Sequence, residues 1–206
     1  MDPSRKPSQV RSPLTGDAAG RASLHRPSVA IGGLGPLPVI GGGVVAELET
    51  LGGDPGVWWF GAWRNINLLV WHRGADKRAC ARIDATNAAR TKAWPQGIST
   101  VHILREGAKQ PDSETRDAFN AMHAEWGHTV GCAVVVIEQR GFLGVAVRSA
   151  VAGMSMVAPK FYRIRVCDTV EAAAPWLSEN HARSTDVVIS PEDALAVLSA
   201  ARLRHQ

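Results

Sequence analysis

Residues 137–159 read IEQRGFLGVAVRSAVAGMSMVAP, and this stretch decides the fold. An apolar, β-branched run ends at its start, a glycine turn follows, and an almost wholly apolar run continues from residue 141. We interpret residues 141–157 as a buried helix that follows a strand. Arg148 is the only charge in residues 141–159. An arginine in so apolar a setting has to be paired, or has to lie at a surface that another group covers.

The residues before this stretch predict alternating strands and helices. Residues 130–138, VGCAVVVIE, form a continuous apolar run, which is typical of a central strand covered on both faces. Residues 75–93 are rich in alanine and charge and predict a helix, as do residues 112–126, which begin with a local cap. Residues 98–104, ISTVHIL, predict the strand between these two helices.

The two ends of this region complete the predicted fold. Two runs rich in β-formers within residues 58–72 predict a hairpin. Residues 161–167 alternate and predict a half-exposed strand near a sheet edge. Capping patterns then open one helix over residues 168–177 and another that begins near residue 190 and ends near residue 203. The sequence therefore predicts an α/β fold with a mixed β-sheet of about five strands, in which the hairpin precedes the alternating helices and strands.

The first 43 residues differ in composition from the rest of the 206-residue chain. They contain six of the twelve prolines, eight of the twenty glycines and no Phe, Trp or Tyr. Such a segment buries too little apolar surface to offset its ordering entropy, so we expect a disordered tail and a single domain over residues 44–206. Two alternatives are a secretory signal cleaved near Ala46 and a translation start at Val29 or Val44.

Charge and cysteine content restrict the function classes. The formal net charge is +4, of which +3 lies in residues 1–43 and only +1 in the remainder, so we predict no nucleic-acid partner. The three cysteines are an odd number, and we expect buried, reduced thiols and a cytoplasmic location. Arg148 would cost about 2.5–3.5 kcal/mol at the centre of a bilayer, so we do not expect the apolar run to span a membrane.

Three segments carry a resemblance to a known family. They are Pro111-Asp112 with Arg116, the strand of residues 133–138, and residues 141–154 with Gly141-Phe142, Val147-Arg148-Ser149 and Gly153-Met154. Over about residues 57–180 the chain resembles the STAS/SEC14-like superfamily, the fold of the bacterial SpoIIAA-like anti-sigma-factor antagonists. The resemblance implies a non-enzymatic regulatory switch or a ligand-binding module. In the antagonists a serine at the start of a helix is phosphorylated, and the loosely corresponding residue is Ser113, whose alternative role is to cap that helix.

Arg148 is the leading candidate for a ligand contact. With Arg140 and Gly141 it would hold a small anionic ligand, aided by backbone amides at the start of the helix. The alternative, which we favour, is a structural arginine paired with Glu138 or Asp112. The glycines form only G-x-x-G, which matches neither nucleotide-binding fingerprint. A small enzyme with a site around Arg148, Asp112 and His102 is the second hypothesis.

The predicted hairpin carries five of the twelve aromatic residues. One of its faces belongs to the core. The other is covered either by a helix or by a protein partner or second copy, and we favour the partner surface. No cysteine or histidine spacing suits a metal, so we predict no metal and no cofactor. The aromatic residues in question are Trp58, Trp59, Phe60, Trp63 and Trp71.

Overall fold

The computed structural model describes residues 47–139, 141, 144–145, 148–149 and 162–204. The predicted tail of residues 1–43 and most of the predicted helix of residues 141–157 lie outside the described residues.

Six strands form one mixed sheet whose spatial order equals the order along the chain. The first three strands form an antiparallel meander, and the third to sixth strands are parallel to one another. β6 lies at one edge of the sheet and β1 at the other. The strands are β1 (Glu49–Asp54), β2 (Trp58–Trp63), β3 (Ile66–Trp71), β4 (Ile98–Leu104), β5 (Val130–Ile137) and β6 (Arg163–Cys167).

Four helices connect or follow the parallel strands, and each begins at a residue whose side chain accepts a hydrogen bond from a backbone N–H of the first turn. They are α1 (Lys77–Ala93), α2 (Ser113–Trp126), α3 (Val170–Thr185) and α4 (Pro191–Arg202). The described residues that follow β5 are helical as well; they are Gly141, Gly144, Val145, Arg148 and Ser149.

The helices cover both faces of the sheet, and this divides the core in two. On one face, α1 and α2 pack over Trp58, Phe60, Leu69 and Trp71. On the other face, α3 and α4 pack over the alternate residues of the same strands, including Trp59. Because successive residues of a strand point to opposite faces, the nearly continuous apolar strands supply both cores.

The hairpin tryptophans are buried by the chain itself. Trp58, Trp59, Phe60 and Trp71 are all at most 5% exposed. Trp63 is partly buried and packs against the α3 and α4 core. The prediction of a partner surface on the hairpin is therefore wrong, because the helices of both layers cover these indoles.

The predicted α/β fold with a mixed sheet is confirmed, although the sheet has six strands rather than about five. The additional strand, β1, reads ETLGGD and contains two adjacent glycines, so its composition did not indicate a strand. The helix predicted over residues 168–177 extends to Thr185 despite Pro175 in its first turns. Among the described residues, no helix is long and apolar enough to cross a membrane.

Candidate functional site

The carboxyl ends of the four parallel strands lie side by side, and we call this end of the sheet the carboxyl edge. An open cavity of about 860 Å³ lies there. Each strand delivers polar residues to it immediately after its last residue, because parallel strands end at the same edge. The contributing pairs are His72 and Arg73 after β3, Arg105 and Glu106 after β4, Glu138 and Gln139 after β5, and Asp168 and Thr169 after β6.

Charged side chains of both signs line the cavity in equal number. Among the described residues this balance gives the lining a formal charge near zero, so its electrostatic effects are local and there is no strong overall field. The lining includes the cations Arg73, Arg105, Arg148 and Arg202 and the anions Glu106, Glu138, Asp168 and Glu171.

Glu138 is held by two arginines at the base of this edge. Its carboxylate lies 3.1 Å from Nε of Arg105 and 2.5 Å from Nε of Arg202. Arg105 also donates from Nη1 to the carbonyl oxygen of Arg202 at 3.0 Å, which fastens the end of α4 to the end of β4. The Glu138 side chain is only 13% exposed. These contacts are charge-assisted and the carboxylate is well shielded, although the Arg202 side chain is 44% exposed. The cluster Arg105–Glu138–Arg202 therefore has a structural role.

Arg148 makes a different kind of ion pair. Its Nη1 lies 2.5 Å from Oδ1 of Asp168, and the two side chains are 34% and 74% exposed. The prediction that a structural Arg148 pairs with Glu138 or Asp112 was wrong. Asp168 takes this role because β6 returns to the sheet beside β5 and ends at the same edge as the helical residues that carry Arg148.

Helix α3 begins at the cavity wall, but its own side chains already occupy its first turn. Oγ1 of Thr169 accepts from the backbone N–H of Ala172 at 3.2 Å. Glu171 interacts with its own backbone N–H, and this lowers the pKa of its carboxyl group, with a further contribution from the Thr169 hydroxyl. The helix dipole is therefore compensated locally. Attraction of an anion to the cavity depends on the arginines instead.

Gln139, which lines the same cavity, carries a buried hydrogen-bond acceptor that no described residue pairs with. The residue is 3% exposed, and its Nε2 donates to the carbonyl oxygen of Ala108. The reverse orientation of the amide would place two oxygens against each other. The other atom of the amide, Oε1, is buried, and no group of the described residues donates a hydrogen bond to it. A buried acceptor without a partner is costly and calls for an explanation.

Of the predicted site residues, some line the cavity, one lies outside the described residues, and others lie at the start of α2. Gly141 and Arg148 both line the cavity. Arg140 lies outside the described residues. Ser113 is the first residue of α2 and is exposed, and Asp112 caps that helix by accepting from the backbone N–H of Thr115 at 2.8 Å.

His102 is partly buried beside α2 and does not line the cavity, so the site postulated around Arg148, Asp112 and His102 is not assembled. Its Nδ1 accepts from Nε1 of Trp71 at 3.2 Å, and its ring packs near Phe119. Burial, with a smaller effect from His123, lowers the pKa of His102 to about 3. His102 is therefore neutral at physiological pH. Neither His102 nor Asp112 belongs to the cavity lining.

A second polar cluster, which the sequence did not indicate, lies near the amino ends of β4 and β5. Oγ of Ser99 lies 2.7 Å from Nδ1 of His181 and 3.2 Å from Sγ of Cys132. The Ser99–His181 distance suits a nucleophile and its base. All three residues have no exposed surface, however, and burial lowers the pKa of His181 to about 4. The cluster is structural, because a substrate has no access to it.

Within the described part of the chain, no group of three or more His, Cys, Asp or Glu side chains is placed to hold a metal ion. Cys80, Cys132 and Cys167 are buried and not in disulfides.

A sequence signal for the cavity did exist. Each predicted parallel strand is followed at once by charged or amide residues, but the alignment of these strand ends depends on the register of the sheet. No sequence pattern indicated that Gln139 would contribute to the cavity.

No family model, no curated protein and no solved structure matches the chain. The STAS-like resemblance therefore stays a prediction. Fold and site define an α/β protein with a charged cavity at the carboxyl edge of its parallel strands.

Proposed function

We propose that this chain is a non-enzymatic binding module that takes a small polar ligand with an anionic group into the cavity at the carboxyl edge. Arg148 contacts the anionic group. The observation that carries the proposal is the exposed Arg148–Asp168 ion pair on the wall of a cavity of about 860 Å³. If the chain is STAS-like, this ligand is the signal that the regulatory module senses.

The two ion-pair systems of the cavity differ in how readily a ligand can replace them. In the cluster Arg105–Glu138–Arg202 the Glu138 side chain is 13% exposed and joins three elements, so opening the cluster would leave a shielded carboxylate without partners. The pair Arg148–Asp168 is exposed, and pairs of this kind contribute about 0–1 kcal/mol. A ligand anion can therefore replace Asp168 beside Arg148 at little cost.

The binding module is favoured over the alternatives by the position of the side chains. A partner surface made of hairpin tryptophans is not supported, since the helices bury them. The enzyme hypothesis required His102 and Asp112 beside Arg148, and neither lines the cavity. The near balance of charges in the lining favours a small ligand with one anionic group over a polyanion.

Arg148→Gln tests the proposal most directly. We expect wild-type protein to bind phosphate or carboxylate compounds from a panel of small polar anions, and the substitution to weaken that binding about tenfold or more, since charge-assisted contacts to anions are the strong ones. Isothermal titration calorimetry measures both affinities. Asp168→Asn should tighten binding, because it removes the competing carboxylate.

Arg183→Gln is the matched control. Arg183 also forms an exposed ion pair, at 2.8 Å with Glu179, but it lies on α3 outside the cavity. Its substitution should leave the affinity unchanged. Equal affinity of wild-type and Arg148→Gln protein for every ligand that binds, or binding of none of the panel, would overturn the proposal.

A further inference from the structure

Gln139 and Arg148 approach each other at Gly144. A Cβ atom added to Gly144 would clash with the backbone carbonyl of Gln139 and would lie 3.2 Å from Nη2 of Arg148. The helical turn after β5 therefore packs directly on Gln139, and the guanidinium of Arg148 lies beside the same point. A ligand whose anionic group binds Arg148 therefore comes close to the backbone of Gln139, and both residues line the cavity.

The side chain of Gln139 has one unused function at this place. Its Nε2 is committed to Ala108, whereas Oε1 is a buried acceptor without a partner. An acceptor needs an O–H or N–H donor. Bulk solvent does not reach Oε1. Because Gln139 lines the cavity, a group that enters the cavity can supply the donor. The exposed pair of Arg148 and Asp168 is the part of the lining best able to move aside.

We infer that Gln139 is a second, specificity-determining ligand contact, whose Oε1 accepts a hydrogen bond from a hydroxyl group adjacent to the anionic group held by Arg148. This inference rests on the proposed function and names the ligand class more closely: a small hydroxylated anion, either a phosphate ester or a carboxylate. A site built to pair with a hydroxyl strongly rejects the analogue that lacks it, because its buried polar atom then stays unpaired.

Two matched pairs of probes test the inference and separate the two sources of the anion. Glycerol 3-phosphate is compared with propyl phosphate, and gluconate with hexanoate. We expect wild-type protein to bind the hydroxylated member of one pair about tenfold more tightly or better, as measured by calorimetry. The pair that shows the preference identifies the anion as a phosphate or a carboxylate.

Two substitutions then assign the preference to Oε1. Gln139→Met and Gln139→Glu both lose the hydrogen bond to Ala108, but only Gln139→Glu keeps an acceptor. We expect Gln139→Met to abolish the preference, so that it binds the two members of the pair with equal affinity. Gln139→Glu should keep the preference, although its charge weakens binding of both members. Should a variant fail to fold, the side-chain amide resonances of Gln139 in wild-type protein must shift with the hydroxylated member alone.

The outcomes separate the two proposals. Equal affinity of wild-type protein for both members of each pair, or a preference that survives in Gln139→Met, overturns the role of Gln139 and leaves anion binding at Arg148 intact. Binding of none of the four probes overturns both. A Gln139 side-chain signal that responds equally to both members also contradicts the inference.

Discussion

At the scale of single residues, Glu138 shows how the cavity is held in shape. It follows β5 directly and receives one guanidinium from the end of β4 and another from the last turn of α4. Three elements that are far apart in the chain therefore meet at one carboxylate. Arg148, by contrast, has an exposed partner that a ligand can replace. The same edge thus combines a fixed ion-pair cluster with an exchangeable one.

Glu138→Gln should lower the free energy of unfolding by about 1–3 kcal/mol. The substitution leaves two guanidinium groups without their carboxylate, and partial exposure of Arg202 keeps the loss below that of a fully buried pair. Urea unfolding at pH 7 measures the effect. The matched control is Glu106→Gln, since Glu106 lines the same cavity but is exposed. Equal stability of the two variants would show that the cluster is not structural.

Burial of His181 makes stability depend on pH. The folded chain holds the pKa of His181 at about 4, below its ordinary value of 6.5, because desolvation disfavours the imidazolium. The unfolded chain therefore binds the additional proton first, and the stabilisation is present above pH 6.5 and lost as the pH falls toward 4. Between pH 7.5 and pH 5 we expect His181 to cost about 2 kcal/mol of unfolding free energy.

The measurement is urea unfolding of wild-type and His181→Gln protein between pH 5 and pH 7.5. The variant should be less stable at pH 7.5 but should lose less stability on acidification. His102, whose pKa is also lowered, keeps part of the dependence in both proteins. His128→Gln is the control because His128 is exposed, and it should follow the wild-type curve. An unchanged slope in His181→Gln would contradict the assignment.

At the scale of secondary-structure elements, the close approach of α3 to β5 positions the cavity wall. Gly131 in β5 makes this approach possible, because a Cβ atom there would lie 2.5 Å from Oγ of Ser184 and 3.0 Å from Cγ2 of Thr185. Helix α3 in turn begins at the residues that follow β6 and line the cavity. A displaced α3 would therefore alter both the core and the site.

Gly131→Ala should destabilise the fold by about 1–3 kcal/mol, since the added methyl group forces α3 away from the sheet. Thermal unfolding followed by circular dichroism measures the loss. Gly52→Ala provides a comparison, because the new methyl group at that strand position would meet mainly the flexible side chain of Arg82, at 3.1 Å. If Gly52→Ala lowers the stability as much as Gly131→Ala, the effect at Gly131 does not come from displacement of α3.

At the scale of the whole molecule, the parallel part of the fold was predictable and the site only partly so. The apolar runs of β4 and β5 and the capping residues of the helices act locally, so their patterns indicated these elements. The pairing of Arg148 with Asp168 joins residues that the chain separates widely, and it depends on the return of β6 beside β5. Periodicity contains no information about such a contact.

The hairpin shows the same limit. Its aromatic residues indicated a strongly apolar pair of strands, and this was correct. Whether the second face met a partner or the chain's own helices depended on where α3 and α4 return, which no local pattern reveals. The unpartnered Oε1 of Gln139 is likewise a property of the assembled edge rather than of any motif.

The identical order of the strands in space and along the chain has a consequence for synthesis on the ribosome. Each strand can join the edge left by the strand before it, so the sheet can grow as the chain emerges. Of the described helices, α3 and α4 are the ones that cover the face that contains Trp59, and they are made last. A nascent chain that stops before residue 170 would therefore present a broad apolar sheet surface to chaperones, and protection of that surface comes only with the final helices.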